Sequence, residues 1–326
     1  MTAHTKDELL LHIEDLSLEF ETIESSVKVL KNVGFSIRRN EIVALVGESG
    51  CGKSVTAMSI MRLLRTPPAR YTGGRILFNE QDLLTVSERE MREIRGNKIS
   101  MIFQEPMTSL NPVMTIEAQV AESLDIHQSL SKSETTEKVV DLLQKVRIPS
   151  ARERLKNYPT QFSGGMRQRI MIAMAISCDP DLLIADEPTT ALDVTIQAQI
   201  LELLAQLKEE THMSILLITH DLGVVAEFAD RVIVMYAGEI VEEAVTLELY
   251  KNPKHPYTKG LLNSLPKLGD DAPRLSAIDG YVPSLSKLPS GCPFHPRCPY
   301  AMPKCSQDVP MVREVEPNHL VRCFLY

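Results

Sequence analysis

Three of the short apolar runs along the chain end at glycine, at acidic side chains or at histidine. EIVALV (41–46) leads into GESGCGKS, DLLIAD (181–186) leads into Glu187 and Pro188, and SILLIT (214–219) leads into His220. Short apolar runs bounded by such residues are typical of strands buried on both faces of a sheet. We therefore predict three strands of an α/β sheet, with candidate functional side chains at the strand ends, where ligand-facing loops collect.

Other segments have the apolar spacing or the composition of a helix. SVTAMSIMRLL (54–64) follows the first predicted strand, and a further helix is predicted from about Met166 through IMIAMAIS. Because proline disrupts a helix interior, Pro253 and Pro256 predict that the short helix of TKGLLNSL begins only after Tyr257. SETTEKVVDLLQKVRI (133–148) carries an apolar stripe that by itself indicates ordinary core, formed by Val139, Leu142, Leu143 and Val146.

The glycine-rich segment after the first strand fits the phosphate-binding motif G-x-x-x-x-G-K-[ST] at residues 47–54. Its glycines let backbone N–H groups turn inward around phosphate oxygens, and the following helix directs the positive end of its dipole at them. We expect Lys53 to reach the β- and γ-phosphates and Ser54 to offer its hydroxyl to Mg²⁺. Cys51 is either a small filler or a redox-sensitive thiol. The nucleotide-binding residues predicted in this segment are Gly47, Glu48, Ser49, Gly50, Cys51, Gly52, Lys53, Ser54 and Val55.

Two adjacent acids end the second predicted strand. A nucleotide hydrolase needs one carboxylate for the metal shell and another to orient or activate water at the γ-phosphate. We assign Asp186 to Mg²⁺ and Glu187 to the attacking water, with Pro188 stopping the strand so that the carboxylates project from its end. His220 is a candidate γ-phosphate sensor, or a capping residue of the kind that commonly follows a strand.

Composition narrows the class of function. The formal net charge of −8 over 326 residues argues against a broad nucleic-acid interface. MTAHTKDELLLHIEDL lacks the basic start and apolar stretch of a signal peptide, and no apolar run approaches the roughly 18 residues of a membrane span. We therefore expect a cytosolic protein.

A second anion-binding pattern precedes another helix. FSGGMRQR (162–169) places Ser163, Gly164 and Gly165 before the helix, and one P-loop has no use for this site unless it faces nucleotide held by another chain. The segment resembles the LSGGQ signature of the ATP-binding cassette (ABC) ATPases. Over most of the chain the motifs follow the order of that family: P-loop at 47–54, Q-loop with Gln104 in MIFQEPMTSLNP, signature at 162–166, Walker B at 182–187, D-loop at 191–193 and H-loop at His220.

The resemblance implies a RecA-like P-loop NTPase core of α/β class, with an antiparallel β subdomain and a helical subdomain, to which this chain adds a cysteine-containing C-terminal extension. In the family, two cassettes pack head to tail and hold ATP between them. The resemblance therefore implies that the serine and glycines of the signature act on ATP bound to a partner. Phe162 and Met166 replace the Leu and Gln of the family pattern, but the Ser-Gly-Gly core is intact, so we expect a working signature.

The resemblance also implies roles for three further residues. Gln104 would link the metal and the attacking water, and Asp193 of the D-loop would lie at the nucleotide site. Phe20 matches the aromatic residue that stacks on adenine; the alternative is a core phenylalanine.

Motif spacing favours the transporter branch of the family. Lys53 and Ser163 are 110 residues apart, too close for the coiled-coil insertion of the DNA-repair relatives, and the tandem-cassette translation factors differ from this single cassette. EPMTSLNP and NPKHPYTKGLLNSLP (252–266) resemble segments of the ATPases of bacterial oligopeptide and dipeptide importers. The alternatives are a soluble ABC ATPase acting on nucleic acid or ribosomes, and a redox-responsive ATP-dependent regulator.

The importer resemblance implies a set of partners and a domain arrangement. We expect a second ABC ATPase, a different chain, with two transmembrane permeases and an extracytoplasmic substrate-binding protein, at the cytoplasmic face of the inner membrane and without nucleic acid. The predicted domains are a nucleotide-binding domain at 1–245, with its helical subdomain at about 105–165, and the C-terminal extension at 246–326.

Four of the six cysteines lie in that extension, at the spacing C-x5-C-x6-C-x17-C. In a reducing cytosol, grouped cysteines are more often metal ligands than disulfides, and thiolates select zinc or iron–sulfur clusters. The tail resembles one that oligopeptide-importer ATPases use for a [4Fe–4S] cluster, which we predict here, with zinc and unligated thiols as alternatives. The expected ligands are Cys292, Cys298, Cys305 and Cys323, with His295 and His319 as substitutes.

Overall fold

The computed structural model describes residues 8–21, 25–104, 109–190, 192–264 and 278–326. The chain divides into two compact units. The first unit comprises residues 1–10, 37–41 and 85–217, and the second comprises residues 11–36, 42–84 and 218–326.

Strands and helices are interspersed along the chain, and they alternate one by one from β7 to β9, as expected of an α/β protein. The strands are β1 Leu9–Glu21, β2 Ser26–Arg38, β3 Ile42–Val46, β4 Ala69–Phe78, β5 Gln81–Asp82, β6 Ile99–Ile102, β7 Leu182–Asp186, β8 Ser214–Thr219, β9 Arg231–Tyr236, β10 Glu239–Val245, β11 Arg313–Glu316 and β12 His319–Val321. The α-helices are α1 Lys53–Ile60, α2 Glu88–Ile94, α3 Ile116–His127, α4 Lys132–Lys145, α5 Gly164–Ala175, α6 Val194–Thr211, α7 Leu222–Phe228, α8 Thr246–Lys251 and α9 Pro256–Asn263.

The second unit contains two groups of paired strands. One is a sheet in the order β2-β1-β4-β5, in which β4 is antiparallel to both β1 and β5. In the other group the strands follow the order β11-β12-β10-β9-β3, and β3 is parallel to β9. Every residue of β3 and β9 is buried, which explains their continuous apolar runs.

The core of the second unit extends into the C-terminal extension. Tyr236 of β9, Tyr257 of α9 and Phe294 are almost completely buried and pack against one another, with ring centroids 4.6 to 5.4 Å apart. Because aromatic side chains bury large areas and prefer such tilted and edge-to-face contacts, this cluster fixes residues of the extension to the β9 strand.

The first unit contains most of β8, with β7 and β6 following it in the sheet order, and β6 is parallel to β7. Helices α3, α4 and α5 contact one another. Ser131 caps α4 through a reciprocal arrangement with Glu134, and the buried side of this helix carries the predicted stripe residues Val139, Leu142 and Leu143. The helical segment predicted between Gln104 and Ser163 therefore forms.

The α/β class and the three predicted strands are confirmed, since EIVALV, DLLIAD and SILLIT form β3, β7 and β8. Two helix starts differ from the prediction. Helix α5 begins at Gly164 because Ser163 caps it, and α9 begins at Pro256 because proline is accepted in the first helical turn. Among the described residues, none of the helices combines the length and the apolar content that crossing a bilayer requires.

Candidate nucleotide site

The candidate residues are divided between the two units. The P-loop, Phe20 and His220 belong to the second unit, whereas Gln104, Asp186, Glu187 and the signature belong to the first.

The P-loop joins the buried strand β3 to α1 through a backbone that only glycine accommodates at two positions. Gly47 has a φ of 152°, and a Cβ there would lie 2.2 Å from the Met235 carbonyl oxygen. Gly52 has a φ of 110°, and a Cβ there would lie 2.8 Å from the Met235 Cε. The predicted glycine motif therefore has a steric cause in the packing of the loop against β9.

The side chain of Lys53 is buried and contacts backbone carbonyls of the loop. Its Nζ donates to the Gly47 carbonyl at 2.7 Å and to the Glu48 carbonyl at 3.2 Å, and it lies 4.0 Å from Cys51 Sγ. All three of these contacts are with uncharged groups. A buried ammonium held in this way provides a strong electrostatic attraction for an anion.

Cys51 is fully buried in the loop. Burial raises the pKa of its thiol, although the nearby Lys53 ammonium opposes the shift. Because the thiolate is the reactive form, this environment favours the filler interpretation over a redox-sensitive thiol. Ser54 and Val55 are half-buried in the first turn of α1, whereas Ser49 and Gly50 are exposed.

In the first unit, the structure brings Gln104 and Glu187 together. Gln104 Nε2 donates to Glu187 Oε2 at 3.1 Å, and the Thr190 hydroxyl donates to the same oxygen at 2.9 Å. Glu187 has a φ of 47°, a left-handed conformation uncommon for a residue with a side chain. Asp186, the last residue of β7, is 5% exposed. The sequence-based prediction missed Thr190, although its place three residues after Glu187 in DEPTT was a usable signal.

The signature residues lie at the start of α5. The Ser163 hydroxyl accepts the Met166 N–H at 3.4 Å, and Ser163 and Gly164 are exposed. Gly165 packs closely on α6, where an added Cβ would lie 2.9 Å from Ile196 Cγ2. Phe162, which replaces the leucine of the family pattern, is buried. The start of α5 therefore exposes polar groups to solvent, and the packed residues Phe162 and Gly165 hold it in place.

Three other predicted residues have definite positions. Asp193 is exposed and caps α6, its Oδ1 accepting the Ile196 N–H at 2.9 Å. His220 is exposed directly after β8, and Phe20 is half-buried in β1 opposite Ala69. Part of the D-loop and part of the Q-loop, residues 191 and 105–108, lie outside the described residues.

The predicted [4Fe–4S] cluster is wrong. Burial raises the pKa of the Cys292 thiol to about 11. Within the described ranges, no group of three or more His, Cys, Asp and Glu side chains is arranged to hold a metal ion. The same finding gives no support to the zinc alternative. The cysteines that this corrects, all free thiols, are Cys292, Cys298, Cys305 and Cys323.

The histidines considered as substitute ligands make other contacts. His295 Nδ1 lies 2.9 Å from the Cys292 carbonyl oxygen, and His319 Nε2 lies 2.7 Å from Glu242 Oε1. The Cys292 N–H in turn donates to the Cys305 carbonyl at 2.8 Å. One ring nitrogen of each histidine is therefore engaged in a contact other than metal binding.

Two family models match the chain. The model described as ABC transporter matches residues 30–190, and the model described as the C-terminal region of oligopeptide/dipeptide transporters matches residues 241–305. The probable peptide ABC transporter ATP-binding protein y4tR of Sinorhizobium fredii is 52% identical over 99% of this chain and 97% of its own length. The dipeptide transport ATP-binding protein DppD of Bacillus subtilis is 52% identical over 98% of this chain and 95% of its own length.

Solved structures agree with the sequence matches. A dimeric ATP-binding cassette in a post-hydrolysis state, bound to ADP and Pi, superposes with a TM-score of 0.65 at 28% identity, covering 73% of this chain and 99% of that chain. The predicted P-loop NTPase fold is confirmed by this likeness.

Proposed function

The chain belongs to the ABC transporter family, and from that premise we propose that it is the ATP-hydrolysing subunit of a membrane importer for oligopeptides or dipeptides. Members of this family hydrolyse ATP to power transport, and the chain is an ATPase of this kind. One observation carries the assignment to peptides: the similarity to peptide-transport ATP-binding proteins continues through the C-terminal region. A cassette match alone would leave the cargo open.

We assign the triphosphate to the P-loop. The Lys53 ammonium has uncharged partners in the loop, so a phosphate would supply the negative charge that it lacks there. Backbone N–H groups of the loop and the N-terminus of α1 add further attraction for the phosphates. Phe20 is assigned to the adenine, since its half-buried ring leaves a part accessible for stacking.

The oxygen donors assigned to Mg²⁺ are the Ser54 hydroxyl, the Asp186 carboxylate and the Gln104 amide oxygen. Hard oxygen donors are the ligands that Mg²⁺ prefers. Gln104 uses its amide nitrogen for Glu187, so its amide oxygen is directed away from that carboxylate. All three are oxygen donors of the kind that this ion takes, and the ion, when bound, would neutralise charge on the β- and γ-phosphate oxygens.

Glu187 is assigned as the general base that takes a proton from the attacking water. Gln104 and Thr190 both donate to its Oε2 and so restrict the orientation of the carboxylate. A carboxylate held in one orientation loses less entropy when it engages the water. His220 is assigned to the γ-phosphate.

The exposed signature is assigned to ATP held by a second cassette. Ser163 and Gly164 stand at the N-terminus of α5, where backbone N–H groups and the helix dipole favour an anion. Asp193 is exposed at the start of α6 and is assigned to the same shared nucleotide site. We take the second cassette to be a different chain.

Transport requires partners that cross the membrane. We propose that the complex contains two permeases and an extracytoplasmic binding protein, and that this chain lies on the cytoplasmic face of the inner membrane. ATP-driven closure of the two cassettes would move the permeases, and hydrolysis at Glu187 would reset the complex.

The proposal can be tested by tagging the chain in its native cell, solubilising membranes gently and identifying the co-purified proteins by mass spectrometry. We expect two multi-span permeases, a second cassette and a peptide-binding protein. Recovery with ribosomes or nucleic acid would support a soluble cassette ATPase instead, and recovery without any partner would contradict the importer.

A further inference from the structure

Arg297 of the C-terminal extension forms a two-pronged ion pair with a residue of the P-loop. Its Nη1 lies 2.8 Å from Glu48 Oε2, and its Nη2 lies 3.1 Å from Glu48 Oε1. The Arg297 side chain is only 5% exposed. Parallel bonds between a guanidinium and a carboxylate are stronger and more directional than a single charged hydrogen bond, particularly away from water.

The remaining donors of Arg297 are also bonded, which fixes the guanidinium in one place. Nε donates to the Asp279 carbonyl at 3.0 Å, Nη1 to the Tyr236 hydroxyl at 3.4 Å and Nη2 to the Ile278 carbonyl at 3.5 Å. The guanidinium also lies 5.8 Å from the Tyr236 ring centroid and 5.9 Å from that of Phe294. A lysine could not reproduce this planar set of bonds.

A second residue of the extension holds the backbone of the same P-loop residue. The Glu48 N–H donates to the Tyr257 hydroxyl at 2.9 Å. Tyr257 is completely buried, and its ring packs against those of Tyr236 and Phe294. The extension therefore grips both the main chain and the side chain of Glu48.

Glu48 in turn contributes to the setting of the P-loop lysine. The carbonyl oxygens of Glu48 and Gly47 both accept hydrogen bonds from the Lys53 ammonium. A displacement of Glu48 would change the position of these carbonyls and the path of the loop that surrounds the phosphates. Preorganised loops bind ligands more tightly than loose ones. The contacts that hold Glu48 in place should therefore strengthen nucleotide binding.

We propose that Arg297 and Tyr257 are positioning residues of the nucleotide site, through which the C-terminal extension sets the affinity of the P-loop for ATP. The inference rests on the ATP-binding part of the proposed function and not on peptide transport. It gives the extension a role in the ATPase itself.

The test is to measure ATP affinity and steady-state ATPase kinetics of the purified full chain carrying Arg297→Lys. We expect ATP to bind about tenfold more weakly, the usual size of coupling between distinct sites, with KM raised and kcat at saturating ATP nearly unchanged. Arg313→Lys is the matched control. Arg313 is exposed in the same extension and donates to the main-chain oxygen of Tyr326, so its variant should bind ATP as the parent does.

A double-mutant cycle separates positioning from a general loss of stability. If Arg297 acts through Glu48, adding Arg297→Lys to Glu48→Gln should weaken ATP binding little further. Tyr257→Phe keeps the buried ring and removes only the hydroxyl, so it tests the second contact even if Arg297→Lys fails to fold. We expect that variant to bind ATP about fivefold more weakly.

Unchanged ATP affinity in folded Arg297→Lys and Tyr257→Phe, with only a lower melting temperature, would reduce these contacts to structural ties and overturn the inference. Independent effects of Arg297→Lys and Glu48→Gln that multiply in the double variant would also overturn it. Failure of the parent chain to bind ATP would instead contradict the assigned nucleotide site.

Discussion

His255 should make the protein lose stability as the pH falls below neutrality. It is 1% exposed and precedes α9, where its Nδ1 accepts the Tyr257 N–H at 3.0 Å. That bond requires an unprotonated Nδ1. Burial, with a smaller contribution from Lys259 and against the attraction of Glu242, lowers the pKa of His255 from 6.5 to about 4.

The sign of the effect follows from which state of the chain, folded or unfolded, binds the proton more readily. The unfolded chain takes up a proton at His255 near pH 6.5, whereas the folded chain resists it until about pH 4. Protons therefore favour the unfolded chain throughout this window, and the contribution of His255 is fully present above pH 6.5. At pH 5 the loss attributable to this residue is about 2 kcal/mol of unfolding free energy.

The assay is urea unfolding of the full chain at pH 7 and pH 5, for the parent and for His255→Asn. Asparagine keeps a side-chain acceptor at the start of α9 but does not titrate. The parent should lose about 2 kcal/mol more than the variant between the two pH values. His212→Asn is the matched control, because His212 is exposed in a left-handed position that asparagine accepts. Equal losses in the parent and in His255→Asn would refute this reasoning.

Three further predictions concern catalysis, the P-loop and the core. Glu187→Gln should lower the ATPase rate by about 100-fold or more while ATP binding persists, because only the general base is removed; turnover and equilibrium binding measure the two effects. Gly47→Ala should abolish ATP binding, measured by calorimetry, because its Cβ would lie 2.2 Å from the Met235 carbonyl oxygen. Phe294→Ala should cost about 3–5 kcal/mol of unfolding free energy, measured in urea, because it empties a buried ring site in the aromatic cluster.

Each of these predictions has an outcome that contradicts it. An ATPase rate in Glu187→Gln equal to that of the parent would contradict the assignment of Glu187 as the general base. An ATP affinity in Gly47→Ala equal to that of the parent would show that the loop can bind ATP in another conformation. A loss below about 1 kcal/mol in Phe294→Ala would mean that the extension contributes little to the core.

Local sequence patterns could predict the strands and the positions of the motifs. EIVALV and DLLIAD are apolar because β3 and β7 are buried on both faces, and the glycine pattern at 47–52 reflects steric limits on the loop. The proximity of Gln104 and Glu187 could also be predicted, since the family resemblance places both at the attacking water. These features are encoded by neighbours in the chain or by a known motif.

Contacts between distant residues could not be predicted in this way. Glu48 and Arg297 are 249 positions apart, and nothing in the local sequence of either indicates the other. The prediction of a metal cluster in the cysteine tail was wrong for a related reason. Spacing indicates which thiols lie near one another along the chain, but the fold decides whether their side chains converge on a metal, and the described residues contain no such group.

The central claim is that this ATPase drives peptide import, and its most direct test is ATP hydrolysis by the co-purified complex in proteoliposomes. We predict that the binding protein loaded with an oligopeptide or dipeptide raises the ATPase rate and that labelled peptide accumulates inside, with both effects lost in Glu187→Gln. An ATPase rate indifferent to peptide, with no peptide uptake by an otherwise active complex, would contradict the account.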